Sequence, residues 1–292
     1  MERISGVITA MVTPFDESGA LDVESGRRLA RHLVTSGSHG LVVNGTTGES
    51  ATMDDAEKLE LLGAVLDEVG AEATVICGTG SNDTARSVEL TEKATAAGAH
   101  AVLVVTPYYN KPNPAGLRAH FAAVAGSTSL PVVLYNIPSR CVINMDPEFI
   151  AALAAEIDNV VAVKQANGDE LRAIDGIDVL AGNDDIFRSC LELGGVGGIL
   201  VASHVVGPQL RELYDAVAAG EGERARAIDE GLRSLYEALS VTTNPIPVKT
   251  ALEMLGVIDA WMRLPMVAAD DAQREVIRLE LERQGLLAAS PT

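Results

Sequence analysis

The run Val160-Val161-Ala162-Val163-Lys164 decides the fold. Small apolar residues, mostly β-branched, follow one another without polar alternation and then stop on a charge. A half-solvated antiparallel strand would alternate. An unbroken run this short fits a strand covered on both faces, as in a parallel sheet dressed with helices. Working outward, similar runs occur at GVITAMV (6–12), GLVVN (40–44), ATVICG (73–78), AVLVV (101–105) and PVVLY (131–135), then at DVLAG (178–182) and GGILVA (197–202). These predict eight strands.

Amphipathic stretches separate them. Asp22, Asp54 and Asn82 are predicted to open helices over 22–36, 54–69 and 82–97, because their side chains accept from the orphan N–H groups of a first turn. Gly37, Gly70 and Gly98 are placed to close them. Eight strand–helix units over residues 1–220 predict a (β/α)8 TIM barrel of class α/β. A doubly wound open sheet is disfavoured, since no Gly-rich dinucleotide fingerprint follows the first strand. Past about residue 205 the strand runs cease. Helical patterns over 208–219, 222–240, 246–256 and 270–287 predict a C-terminal helical appendix, residues 221–292, packed on the barrel.

Composition narrows the function. The formal net charge is −19, from 41 acidic and 22 basic residues, and the basic residues are scattered. Nucleic acid is therefore an unfavourable partner. Lysine is scarce, and the acidic surplus reads as genome composition rather than salt adaptation. Aromatics are only 3%, so the core is expected to consist of Ala, Val, Leu and Ile. Cys77, Cys141 and Cys190 are far apart, and no His cluster has zinc-like spacing, so neither a disulfide framework nor a metal is expected. No apolar run approaches a membrane span, and the opening MERISGVITAMVTPF has no signal-peptide pattern. A cytoplasmic protein is expected.

In a barrel of this kind the working groups sit at the C-terminal ends of the strands. Lys164 ends the sixth run. An amine at a barrel mouth is partly desolvated, which favours its neutral, nucleophilic form and permits attack on a ketone. A strand-end lysine alone more often makes a salt bridge. Its neighbours change that reading. Tyr135 and Tyr109 end or follow the fifth and fourth runs, and phenols linked through the Thr46 hydroxyl form a plausible proton relay. Thr46-Thr47-Gly48 offers hydroxyls and amides as a carboxylate nest, and Arg140 a fork for a second carboxylate. Gly182 and Ile199 stand at the seventh and eighth strand ends. Together these read as carbanion chemistry on an α-keto acid.

The motifs GTTGES (45–50), VTPYYNKP (105–112), LYNIPSR (134–140), the lysine at 164, GGVGGILVASH (194–204) and NPIPVK (244–249) resemble those of the dihydrodipicolinate synthase family, in order along essentially the whole chain. The resemblance implies a class I lyase in which Lys164 forms a Schiff base with pyruvate. It implies that Thr46, Thr47 and the Ile199 backbone hold the pyruvate end, and that Tyr135 moves protons with Thr46 and Tyr109. Tyr109 is implied to enter the site of a neighbouring subunit, in a homo-oligomer that is a dimer of dimers. Arg140 is implied to bind the carboxylate of aspartate semialdehyde, in the diaminopimelate and lysine pathway. No cofactor is implied beyond the covalent pyruvate.

The wider superfamily also holds pyruvate-releasing lyases of N-acetylneuraminate and 2-keto-3-deoxygluconate type; Thr47 and Arg140 favour the synthase. Gln165 and Cys141 depart from the commoner Glu and Thr or Ser. Feedback-inhibited members bind lysine at a dimer cleft. The matching positions here read as Lys58 and Arg86 beside Ser50, Asn82 and Tyr108, and two cations there imply weak inhibition or none.

Overall fold

Each apolar run forms a strand, and its alternate residues separate into two cores. The computed structural model describes residues 3–288. In it β1 (Gly6–Ala10), β2 (Gly40–Val43), β3 (Thr74–Gly78) and β4 (Ala101–Val105) are followed by β5 (Val132–Asn136), β6 (Val160–Gln165), β7 (Asp178–Ala181) and β8 (Gly197–Leu200). They close in chain order into one barrel whose pairings are all parallel, β8 returning to β1 with Ile199 opposite Ile8. Because side chains alternate along a strand, Ile8, Ile76, Leu103, Val133 and Leu180 fill the interior. Val7, Val75, Val104, Leu134 and Val179 face the helices. The aliphatic core expected from the composition is present, with Phe15, Phe121 and Phe187 its largest fully buried aromatics.

The outer layer comprises α1 (Val23–Thr35), α2 (Asp55–Val69), α3 (Thr84–Ala96) and α4 (Pro114–Gly126) after the first four strands. The one-turn α5 (Pro138–Cys141) and α6 (Pro147–Glu156) follow β5, α7 (Phe187–Glu192) follows β7, and α8 (Ser203–Ala218) follows β8. The expectation of eight strand–helix units fails at one place: β6 and β7 are joined through a 3-10 turn at Gly168–Glu170. In segment 166–177, ANGDELRAIDGI, the apolar residues Leu171, Ile174 and Ile177 reach the core without a helix: Ile174 and Ile177 form an antiparallel bridge around Gly176, whose φ is 77°.

Asp22 and Asp54 cap α1 and α2 as expected, the latter in a capping box with Glu57. The third cap is Asp83 rather than Asn82; its side chain accepts from the Ala85 N–H, while the Asn82 carbonyl accepts from Asn110. Gly37 and Gly98 take left-handed φ of 102° and 89° after their helices. Gly70 stays right-handed at −62°, because the chain keeps turning and the N–H groups of Glu72 and Ala73 both return to the Val69 carbonyl. The helix expected to begin at 208 begins at Ser203 and kinks at Val206, two residues before Pro208.

Three further helices complete the chain: α9 (Gly222–Ala238), α10 (Ile246–Met254) and α11 (Asp271–Arg283). Helix α8 packs on β1, α9 on α8, α10 on both α8 and α11, and α11 on α9. The three cysteines are free and buried. Among the described residues no helix is long and apolar enough to cross a membrane.

Candidate active site

Strand alternation delivers the central pair. Val163 faces the helices and Ala162 the interior, so the next inward residue of β6 is Lys164. On β5 the same count from Val133 through Leu134 gives Tyr135, and the two are Cα partners across the sheet. Lys164 is 5% exposed. Its Nζ lies 4.3 Å from the centroid of the Tyr135 ring, a cation–π distance. Among the described residues it has no hydrogen-bond or salt-bridge partner.

The cavity above it, about 540 Å³, brings Thr46, Thr47, Tyr135, Arg140, Lys164 and Gly182 into one wall. A second cavity of about 340 Å³ shares Thr46, Tyr135 and Arg140 and extends to Ser50, Lys58 and Tyr108. Cys141, which also lines it, has its thiol pushed up to about 11 by burial.

The Thr46–Thr47 turn is held from several sides. The Glu49 N–H donates to the Thr46 carbonyl at 3.1 Å, and the Thr13 hydroxyl donates to the Gly48 carbonyl at 2.6 Å. Asn244 Nδ2 donates to Thr47 Oγ1 at 2.9 Å. Arg140 Nη2 donates to the Asn244 carbonyl at 3.1 Å, which tethers one arm of its fork beside the cavity. Gly182 is required by close approach: a Cβ there would lie 2.7 Å from the Ala166 amide nitrogen, forcing β7 away from the chain that follows Lys164.

Left-handed backbone outside glycine gathers in the same region. Among the described residues it occurs at Asn44, Glu49, Tyr109, Lys111 and Val142, all in loops that follow β2, β4 and β5. Such conformations cost roughly 1–3 kcal/mol and concentrate at functional sites.

Asp184, two residues beyond Gly182, also lines the main cavity. Its Oδ1 accepts from the N–H groups of Val201 and Ala202 at 3.0 Å each, fastening the turn after β8. Burial pushes its carboxyl up to about 6; the two amides and Lys164 oppose that rise, and Asp185 adds to it.

Two expected residues lie apart. Tyr109 is 87% exposed and borders neither cavity. Ile199 is fully buried inside the barrel and is likewise absent from both walls. Among the described residues no hydrogen bond joins the hydroxyls of Thr46, Tyr109 and Tyr135, so one chain does not close the relay. The sequence alone assigns no role to Asn244, Glu49 or Asp184, although Asn244 lies in NPIPVK and Glu49 in GTTGES.

The sequence profile of the Dihydrodipicolinate synthetase family matches residues 3–284. The 4-hydroxy-tetrahydrodipicolinate synthase of Desulforudis audaxviator is 47% identical over 288 residues, covering 96% of this chain and 98% of the relative. The dihydrodipicolinate synthase of Thermotoga maritima superposes with a TM-score of 0.94 at 41% identity, over 97% of this chain and 99% of its own. A monomeric dihydrodipicolinate synthase variant gives the same TM-score of 0.94 at 41% identity, over 97% and 98%.

Proposed function

Since this chain belongs to the dihydrodipicolinate synthetase family, we propose that it condenses pyruvate with L-aspartate 4-semialdehyde to 4-hydroxy-tetrahydrodipicolinate. It is a class I lyase of diaminopimelate and lysine biosynthesis, and the reaction runs on a covalent Schiff base without a metal or organic cofactor. The observation that carries this reading is a buried lysine with no salt-bridge partner, in one wall with Thr46, Thr47, Tyr135 and Arg140.

Lys164 is the nucleophile. Its amine adds to the pyruvate ketone and water leaves, forming the Schiff base. Loss of a C3 proton gives an enamine, whose carbon attacks the aldehyde. The amine of the joined aspartyl portion then displaces Lys164 and closes the ring. The protonated imine is the electron sink. Tyr135 carries protons at these steps, with Thr46 as its link. Thr47, Gly182 and the Ile199 backbone complete the pyruvate pocket, and Arg140 takes the aldehyde's carboxylate with the free arm of its fork.

Tyr109 acts in a second copy of the chain. Its 87% exposure and left-handed φ of 71° support a side chain held outward for a partner, within a dimer that pairs again into a dimer of dimers. The working location is the cytoplasm. Lysine inhibits weakly or not at all, because Lys58 in the second cavity and nearby Arg86 repel a cationic ligand.

Turnover assays test the substrate. Pyruvate with aspartate semialdehyde is expected to react, whereas cleavage of N-acetylneuraminate or 2-keto-3-deoxygluconate is not. Efficient cleavage of either with no condensation would move the chain to the lyase branch.

A further inference from the structure

The Thr46–Thr47 turn is gripped from the C-terminal helices at a second point, deeper than Asn244. Glu49 adopts a left-handed φ of 53° and turns its carboxylate inward onto Lys249 of α10, with Nζ and Oε1 2.5 Å apart. Their side chains are 3% and 0% exposed, the one ion pair among the described residues with both members buried. The ammonium also donates to the Trp261 carbonyl at 2.7 Å, and Glu49 Oε2 accepts from the Arg263 N–H at 3.2 Å. The Phe15 ring closes one side, its centroid 4.6 Å from Lys249 Nζ and 4.3 Å from Arg263 Cζ. Burial pulls the Lys249 ammonium below the usual lysine range, and Glu49 opposes that shift.

A buried pair of this kind adds little stability over apolar side chains of the same volume, since both ions must leave water. What it supplies is position: a carboxylate bound at both oxygens has one depth and one direction. Because the Glu49 N–H closes the turn onto the Thr46 carbonyl, fixing Glu49 fixes that turn. We propose that Glu49 and Lys249 are positioning residues, and that their ion pair sets the Thr46–Thr47 turn to receive the keto acid's carboxylate. The C-terminal helices thereby govern pyruvate affinity without touching pyruvate. This rests on the function proposed above.

The test compares steady-state constants of the full-length enzyme with those of Lys249→Met, Glu49→Gln and Arg274→Ala. Arg274 pairs with Glu253 at 2.7 Å in the same helical region, outside this contact, and so controls for a general loss of stability. Folding of each variant is checked by circular dichroism. In Lys249→Met, KM for pyruvate is expected to rise ~10-fold or more, with kcat at saturating pyruvate within ~3-fold and KM for the aldehyde unchanged. Glu49→Gln keeps the shape and one acceptor, so it is expected to raise the same constant by a smaller factor. Arg274→Ala is expected to leave it alone.

If Lys249→Met does not fold, Glu49→Gln decides. A folded variant of the pair with wild-type KM for pyruvate overturns the proposal, as does an equal rise in Arg274→Ala. Borohydride trapping separates the two levels. No pyruvate adduct on the wild type defeats the proposed function, whereas a labelled wild type with unaffected variants defeats only the positioning role.

Discussion

Lys164 and Tyr135 face each other across β6 and β5, with the Lys164 Nζ 4.3 Å from the centroid of the Tyr135 ring. The amine therefore lies against the aromatic face, and the phenolic hydroxyl is a separate group at the ring's edge. Packing and proton transfer are separable by mutation. Tyr135→Phe keeps the face and removes the hydroxyl. It is expected to lower kcat by ~10²–10⁴-fold, the usual contribution of a positioned acid–base group, while pyruvate still forms a trappable adduct. Stopped-flow or coupled assays read the first effect and mass spectrometry the second. Near wild-type turnover would remove Tyr135 from the proton path.

Arg140 touches only the second substrate in this account, while its tethered arm steadies Asn244, which holds Thr47. Arg140→Ala is expected to raise KM for aspartate semialdehyde ~10–100-fold, matching the loss of a charged hydrogen bond worth about 1.5–3 kcal/mol. The concentration of pyruvate needed for half-maximal trapping is expected to change far less, through the lost contact with Asn244 alone. A comparable shift in the pyruvate dependence instead would place Arg140 on the wrong carboxylate.

Lysine is expected to leave the enzyme active. Burial pulls the Lys58 ammonium down; Asp55, at 4.0 Å, opposes this and Arg86 adds to it. Lys58 nonetheless presents like charge to a cationic ligand in the second cavity, and Glu49, a carboxylate of the same lining, is already held by Lys249. Titration with lysine at saturating substrates is expected to show no inhibition up to millimolar concentrations. Half-maximal inhibition below that range contradicts the reading.

Acid is expected to destabilise the fold through its buried histidines. His204 donates from Nδ1 to the Val201 carbonyl and accepts at Nε2 from the Val12 N–H, so only the neutral ring fits. Burial pulls His204 and His120 down to about 4. Unfolding restores both to roughly 6.5, so the unfolded chain binds the extra protons between those values. Their stability contribution is complete above pH ~6.5 and is lost as pH falls toward about 4, at up to about 1.4 kcal/mol per pH unit for each ring. Asp184, pushed up to about 6, runs the other way and offsets part of the loss. Tm measured from pH 8 to pH 4.5 is expected to fall mainly below pH ~6.5, and His204→Gln to flatten that slope. A flat profile would sink the assignment.

The barrel was legible because its strands announce themselves locally: β-branched runs need no knowledge of their partners. Lys164 and Tyr135 were legible for the same reason, since strand ends and period-two alternation place a side chain from its own segment. Where the reading failed, the cause lay outside the segment. Asn82 and Asp83 are equivalent as local caps, and the contact of the Asn82 carbonyl with Asn110 goes with the choice of the later residue. The β6–β7 connection has no helix although Leu171, Ile174 and Ile177 are spaced for one; they pack on the core of the rest of the barrel from a 3-10 turn and an Ile174–Ile177 bridge around Gly176. Glu49 and Lys249 stand 200 positions apart in the chain, and only the return of the C-terminal helices over the mouth makes them partners. Tyr109 remained apart from the cavity because the group it serves belongs, on this account, to another subunit.

The central claim is that Lys164 captures pyruvate, and borohydride reduction tests it most directly. Wild-type enzyme incubated with pyruvate and borohydride, then digested and mapped by mass spectrometry, is expected to carry one reduced pyruvyl adduct on the peptide containing Lys164. Lys164→Ala is expected to carry none. An adduct on another lysine, or no adduct on the folded wild type, contradicts the account.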